Sequence, residues 1–202
     1  MVSTEMQKFY SEHSLRGLQS PLFAGSIKGG FELNFDKAFD LLIGHEGSFT
    51  NLRTDPGNWT GGKVGSGTLK GTKYGIAANS YPNLDIKNIT LQQAKQIYKR
   101  DYWDKVKGDQ LPPELAFHVF DMAVNGGISR GIKLLQKTVG TTEDGLIGPA
   151  TLAAVNRMNV HNAILIYNAN RLQFYTSLGT FGTFGKGWTN RVANNLRMAG
   201  EN

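Results

Sequence analysis

Glu46, Asp55 and Thr72 are a carboxylic acid, a second carboxylic acid nine residues on, and a hydroxyl that returns after a glycine-rich stretch. Glu46 stands eleven positions after Phe35. At about 100° per residue this is three turns plus about 20°, so a helix running through the segment sets Glu46 on the stripe of Phe35, Phe39, Leu42 and Ile43. Its carboxyl group would then turn inward. Burial at the edge of a core disfavours the charged form, so the acid would stay protonated near neutrality and could protonate a leaving glycosidic oxygen. A lone Glu at a helix end more often frays into solvent, so its neighbours matter. Asp55 is followed by Pro56-Gly57, a turn sequence in its own right. Thr72 lies in Gly71-Thr72-Lys73-Tyr74-Gly75-Ile76, where a turn role is the ordinary one. Together they supply an acid, a base and a water-positioning hydroxyl, the parts an inverting glycosidase needs.

Helices have to carry these groups. Asn34 can cap a helix whose Phe35, Ala38, Phe39, Leu42 and Ile43 follow a buried-face pattern. From Gly47 to Gly75 that pattern gives way to closely spaced glycines with Thr and aromatic residues between, which predicts hairpins and tight loops. Helical signals return at Thr90, where Thr-Leu-Gln-Gln offers a capping box with Gln93, and again at Pro112-Pro113, a helix entry. Ala116, Val119, Phe120 and Ala123 form one stripe before Asn125-Gly126-Gly127 stops it. Ile128, Ile132, Leu135 and Val139 form the next, predicting a helix pair. Further helices are predicted near 149–157, 161–178 and 188–198. The expected class is mainly α with a small Gly-rich β-lobe.

Composition narrows the function classes. The 202 residues are 40% hydrophobic with 11 Phe, 7 Tyr and 3 Trp, enough for a substantial core. With no Cys there is no disulfide framework, thiolate metal site or cysteine nucleophile. No apolar run approaches a membrane span, and Met1-Val2-Ser3-Thr4-Glu5 does not open like an export signal, so synthesis in a reducing cytoplasm without an export signal is expected. The net charge of +6 admits a polyanionic partner, nucleic acid, anionic lipid or bacterial wall. No basic stripe interleaved with aromatics supports nucleic acid. His45 should diverge by about 100° from Glu46, while His118 and His161 stand alone, so no metal and no cofactor is expected. Asp121 and Asn125, four apart, share a helix face and would either line a substrate cleft or cap the helix end. Tyr74, Tyr102 and Trp103 could stack on sugar rings, although aromatics at helical spacing are usually core.

Gly44-His45-Glu46-Gly47, Asp55-Pro56-Gly57 and Thr72-Lys73-Tyr74-Gly75-Ile76 resemble, in order, the signature of glycoside hydrolase family 108, the N-acetylmuramidases of phage lysins and related bacterial proteins. The nine-residue step from Glu46 to Asp55 is also similar to that of phage-type lysozymes. The resemblance continues through Asp101-Tyr102-Trp103 and Phe120–Asn125 into Asp144-Gly145-Leu146-Ile147-Gly148-Pro149-Ala150-Thr151, which looks like the family's C-terminal peptidoglycan-binding-type region. It spans about residues 35 to 197. Two departures stand out: Gly47-Ser48 replaces a frequent Gly-Gly, and Asn58–Gly71 is longer than the family's short form. Matching Thr72 to the family Thr therefore assumes an inserted hairpin, with Thr60 as its rival.

Residues 1–33, mixed Ser and Gly without apolar periodicity, read as an N-terminal arm outside the resemblance, which implies a lysozyme-like fold with a catalytic region over 34–125 and a C-terminal helical peptidoglycan-binding-type region over 126–202. The resemblance implies a monomer that hydrolyses the β-1,4 bond between N-acetylmuramic acid and N-acetylglucosamine in peptidoglycan glycan strands, without stable membrane insertion. It implies Glu46 as the catalytic acid, with Asp55 and Thr72 catalytic beside it; Tyr74, Asp121 and Asn125, read from their own type and spacing, are the candidate substrate contacts. A phage lysin of this kind would reach the wall through a membrane lesion made by a partner. A non-catalytic wall-binding protein and a lytic transglycosylase using the same Glu are the alternatives.

Overall fold

The structure, a computed structural model, describes residues 33–44 and 48–200. Helix α1 (Phe35–Ile43) starts where Asn34 caps it, its Oδ1 accepting from the Lys37 N–H at 3.1 Å. It stops at Gly44, whose φ of 60° and ψ of −147° take the chain out of helical geometry. The helical phase of Phe35 and Phe39 therefore does not reach position 46, and the inward orientation deduced for Glu46 from that phase loses its basis. Glu46 and His45 lie outside the described residues, as does the arm expected over 1–33 apart from Leu33.

Helix α2 (Leu91–Tyr98) opens on the Thr90 capping box. Gln93 N–H donates to Thr90 Oγ1 at 3.1 Å, and Thr90 N–H donates to Gln93 Oε1 at 2.8 Å. The helix loosens into a π turn at Lys99–Trp103, which carries Trp103 into the interior. There the indole edge meets Phe35 and Phe120 at centroid distances of 5.6 and 5.4 Å, and its N–H donates to Asp109 at 2.7 Å. Gly108 lies against this ring; a Cβ there would stand 2.3 Å from it. Trp103 is thus a core residue. Lys95 bridges Asp36 and Asp40 across α1 and α2 at 3.1 and 3.2 Å, but both carboxylates are exposed, so the bridge adds at most about 1 kcal/mol. Burial of Phe35, Phe39, Tyr98 and Phe120 does more, at about 1.5–3 kcal/mol for each large side chain.

Helix α3 (Pro113–Gly126) enters through Pro112-Pro113 and is buried over most of its length. Gly127, at φ 95°, breaks it from α4 (Ile128–Val139). The two helices pack closely at Gly131, whose Cβ would lie 3.2 Å from the Val119 carbonyl oxygen and the Ala123 nitrogen. Beyond α4, Gln136 knits the following loop: its Nε2 donates to Asp144 Oδ1 at 2.6 Å and to the Leu146 carbonyl at 3.0 Å, while its Oε1 accepts from Gly145 N–H at 2.9 Å. The Asp144–Thr151 stretch is thus a turn feeding α5 (Pro149–Arg157), with Pro149 in its first turn. Helices α6 (Val160–Thr176) and α7 (Phe181–Gly200) pack on one another and close the fold.

The start of α7 differs from expectation by seven residues: the apolar pattern predicts it at 188, and the helix begins at Phe181. Phe181-Gly182-Thr183-Phe184-Gly185-Lys186-Gly187 is poor in helix formers. Tertiary packing overrides that weakness. Trp188 stacks on Tyr175 of α6 at 5.0 Å between centroids, and Phe181 and Phe184 pack against the hydrophobic core. One hydrophobic cluster runs from Phe35 through Val192, so segments before and after residue 126 share a single core. No helix among the described residues is long and apolar enough to cross a membrane.

Candidate active site

The glycine-rich segment folds into a small lobe between α1 and α2. Strands β1 (Thr72–Lys73) and β2 (Ile76–Ala77) pair antiparallel across Tyr74-Gly75. Both turn residues have positive φ, 51° and 73°, the geometry of a two-residue hairpin matched to strand twist. Tyr98 of α2 donates its hydroxyl to the Tyr74 carbonyl at 3.1 Å, anchoring the turn on the helical body. Tyr74 itself is half-buried, with Lys73 Nζ 5.3 Å from its ring centre.

Asp55 caps a short 3-10 turn at Pro56–Asn58, its Oδ1 accepting from Gly57 N–H at 2.9 Å. Proline at the first position of that turn has no N–H to leave unsatisfied. This leaves the other carboxylate oxygen of a half-buried Asp55 outside the cap. Thr72 is fixed by its backbone: it donates to the Thr50 carbonyl at 2.8 Å and accepts from Thr50 N–H at 2.9 Å. Its hydroxyl donates to Asn58 Oδ1 at 2.8 Å. Asp55 and Thr72, seventeen positions apart, are therefore connected through one residue of the Asp55 turn.

The residues between them form a hairpin. Trp59 bridges Leu69, Thr60 N–H donates to the Thr68 carbonyl at 2.9 Å, and Gly61 N–H to the Ser66 carbonyl at 3.1 Å. Thr60 Oγ1 accepts from Thr68 N–H at 2.9 Å. Its hydroxyl thus serves the hairpin, and Thr72 is the hydroxyl brought to the Asp55 turn. Gly71 closes this hairpin at φ 83°, with Thr50 O only 2.4 Å from where a Cβ would be. Gly71→Ala is therefore expected to destabilise the protein by about 1–3 kcal/mol through strain and collision. Denaturant midpoints and catalytic rates measured together check this; an unchanged midpoint would show that the lobe yields at this position.

Asp121 and Asn125 lie elsewhere. Asp121 is fully buried, with Oδ1 accepting from Arg191 Nε at 2.7 Å and Oδ2 lying 2.6 Å from Arg171 Nη1 and 3.0 Å from Asn195 Nδ2. Arg171 is also fully buried and donates from Nε to Tyr175 Oη at 2.8 Å. Asn125 is buried and its amide donates to the Asp121 carbonyl at 2.6 Å. The expectation that Asp121 contacts substrate is accordingly corrected: both its oxygens are engaged inside the helical body, where it binds α3 to α6 and α7. Beside this cluster, His118 is buried and its Nδ1 accepts from Asn168 Nδ2 at 3.1 Å.

Asn58 is the residue that the sequence did not single out. It is completely buried, its Nδ2 donates to the Leu52 carbonyl at 3.1 Å, and its own carbonyl accepts from Lys70 and Gly71 N–H at 2.9 and 3.0 Å. In sequence it is an Asn following Asp-Pro-Gly, which reads as one more turn residue; only its burial marks it.

Comparison with known proteins identifies the family. The family model described as Glycosyl hydrolase 108 matches residues 39–127, a span that contains Glu46, Asp55, Asn58 and Thr72. The solved structure of Brucella abortus SagA is 36% identical, with 82% of this chain and 92% of that chain covered and a TM-score of 0.67. No curated protein matches the chain.

Proposed function

This chain belongs to glycosyl hydrolase family 108, a mainly α, lysozyme-like glycoside hydrolase acting on peptidoglycan, and from that premise we propose that it cleaves the β-1,4 bond between N-acetylmuramic acid and N-acetylglucosamine by single-step hydrolysis. Glu46 gives its proton to the departing oxygen of N-acetylglucosamine as the bond to the anomeric carbon breaks. A water molecule forms the new bond from the opposite face and delivers a proton to Asp55. Thr72 holds that water in line. The product at the N-acetylmuramic acid end is then the α-anomer, inverted from the β-linkage.

The observation that supports this division of roles is the link from the Asp55 turn to the Thr72 hydroxyl through buried Asn58. It ties the carboxylate-bearing turn to a hydroxyl that the intervening hairpin separates from it in sequence. Tyr74, on the turn beyond Thr72, is proposed as a sugar contact, and the Asp144–Thr151 turn as a contact to the wall outside the reacting bond. The N-terminal residues 1–33, the monomeric state and a role in phage-driven lysis are further parts of the same reading.

Digestion of purified sacculi followed by mass spectrometry and time-resolved NMR tests it. The expected products carry reducing N-acetylmuramic acid ends, with the α-anomer appearing first. Anhydromuramic ends would assign the chain to lytic transglycosylases, where no water attacks. Binding without any product would leave only the wall-binding reading.

A further inference from the structure

We propose that Asn58 is a positioning residue that sets the polarity of the Thr72 hydroxyl, so that Thr72 can only accept a hydrogen bond from the attacking water. The inference rests on Thr72 as the holder of that water. The chain of reasoning begins at Leu52, whose carbonyl can only accept. The Asn58 atom facing it at 3.1 Å must therefore be the amide nitrogen, and the atom facing Thr72 at 2.8 Å must be the oxygen. An amide oxygen accepts only, so the single hydroxyl proton of Thr72 is directed to Asn58. Only lone pairs remain on Thr72 Oγ1 for a water.

This polarity has a chemical consequence. A water on Thr72 has to donate one of its protons there and can donate the other to the carboxylate of Asp55, which also accepts only. With both protons directed at protein groups, a lone pair of the water oxygen is left to face the anomeric carbon. Were the Thr72 hydroxyl free to rotate, it could donate to the water and occupy the lone pair needed for attack. Asn58 is completely buried and held by its backbone to Asp55, Lys70 and Gly71. No bulk water can replace its oxygen as acceptor, and the side chain has no room to swing.

The test is a kinetic cycle on solubilised glycan strands, reading kcat and KM separately. Thr72→Val, which keeps shape and removes the hydroxyl, is expected to lower kcat by about tenfold or more with KM little changed. Asn58→Leu is expected to lower kcat by about tenfold on the wild-type background and to cost nothing further on the Thr72→Val background. Asn58→Asp supplies a second readout if the leucine variant fails to fold. When protonated, its carboxyl can donate to Leu52 and accept from Thr72 as the amide does, so its kcat relative to wild type should rise as the pH is lowered from 7 to 5. If Thr72→Val leaves kcat unchanged, the water-holding role of Thr72 and this inference both fall. If Thr72→Val lowers kcat while Asn58→Leu costs the same on both backgrounds, or the Asn58→Asp ratio is flat with pH, only the role of Asn58 is overturned.

Discussion

Glu46→Gln is expected to abolish the clearing of purified sacculi, with kcat lowered by about 10²–10⁴ and binding to the wall unchanged. The amide keeps the size of the side chain and can still donate a hydrogen bond, but it has no proton acidic enough to transfer. The sugar oxygen would have to depart as an alkoxide. Proton donation to a poor leaving group is therefore the step removed, while contacts with the remaining sugars persist. Turbidity loss and co-sedimentation with sacculi, measured on the same preparation, separate the two. A variant that binds but does not clear supports Glu46 as the acid; one that still clears at wild-type rates moves the acid elsewhere. This experiment carries particular weight because the chain leaves helical geometry at Gly44, two residues before Glu46, so the phase of α1 no longer argues for its role.

What the sequence made legible was mostly local. Asn34, the Thr90–Gln93 box, Pro112-Pro113 and the Gly126-Gly127 break act through hydrogen bonds within a few residues, and each sits where its side chain or missing N–H predicts. The β-lobe was legible for the same reason: Tyr74-Gly75 and the glycines of the 59–69 hairpin answer to positive φ. Long-range packing was not. Gly44 ends α1 two residues short of Glu46, and the start of α7 depends on Trp188 stacking on Tyr175 of α6, which no local window contains. Within the candidate site, Asp55 and Thr72 were visible as residue types that do chemistry. Asn58 was not, because its place is set by burial and by two amide atoms that meet the Leu52 carbonyl and the Thr72 hydroxyl. Asp121 shows the converse. An acidic residue four before an Asn on a helix reads as a cleft residue or a cap until Arg171 and Arg191, fifty and seventy positions on, are seen to enclose it.

That enclosure leads to the largest expected change in stability. Asp121→Asn should cost about 3–5 kcal/mol, because it leaves Arg171, which is fully buried, without its countercharge. Arg171 cannot shed its proton to escape the penalty. Burial alone would raise the Asp121 pKa; the Arg191 and Arg171 guanidiniums reverse that and hold its carboxyl well below the usual carboxylate range. Its folded pKa being depressed, its contribution is present above the unfolded value of about 3.9 and is lost as the pH falls below it. His118 acts in a higher window. Burial, with Arg171 adding to it and Asp121 opposing it, pushes its pKa down to about 4, so stability falls as the pH drops from about 6.5 towards that value, where the unfolded chain binds the extra proton. Wild-type protein should therefore weaken in two stages on acidification, and Asp121→Asn should lose the lower stage while starting from a reduced stability. Denaturant titrations at pH 7, 5 and 3 measure both effects. The same variant decides the functional question, since a residue that closes the helical body from inside should leave KM untouched in the folded protein. A raised KM with full stability would instead return Asp121 to the substrate cleft.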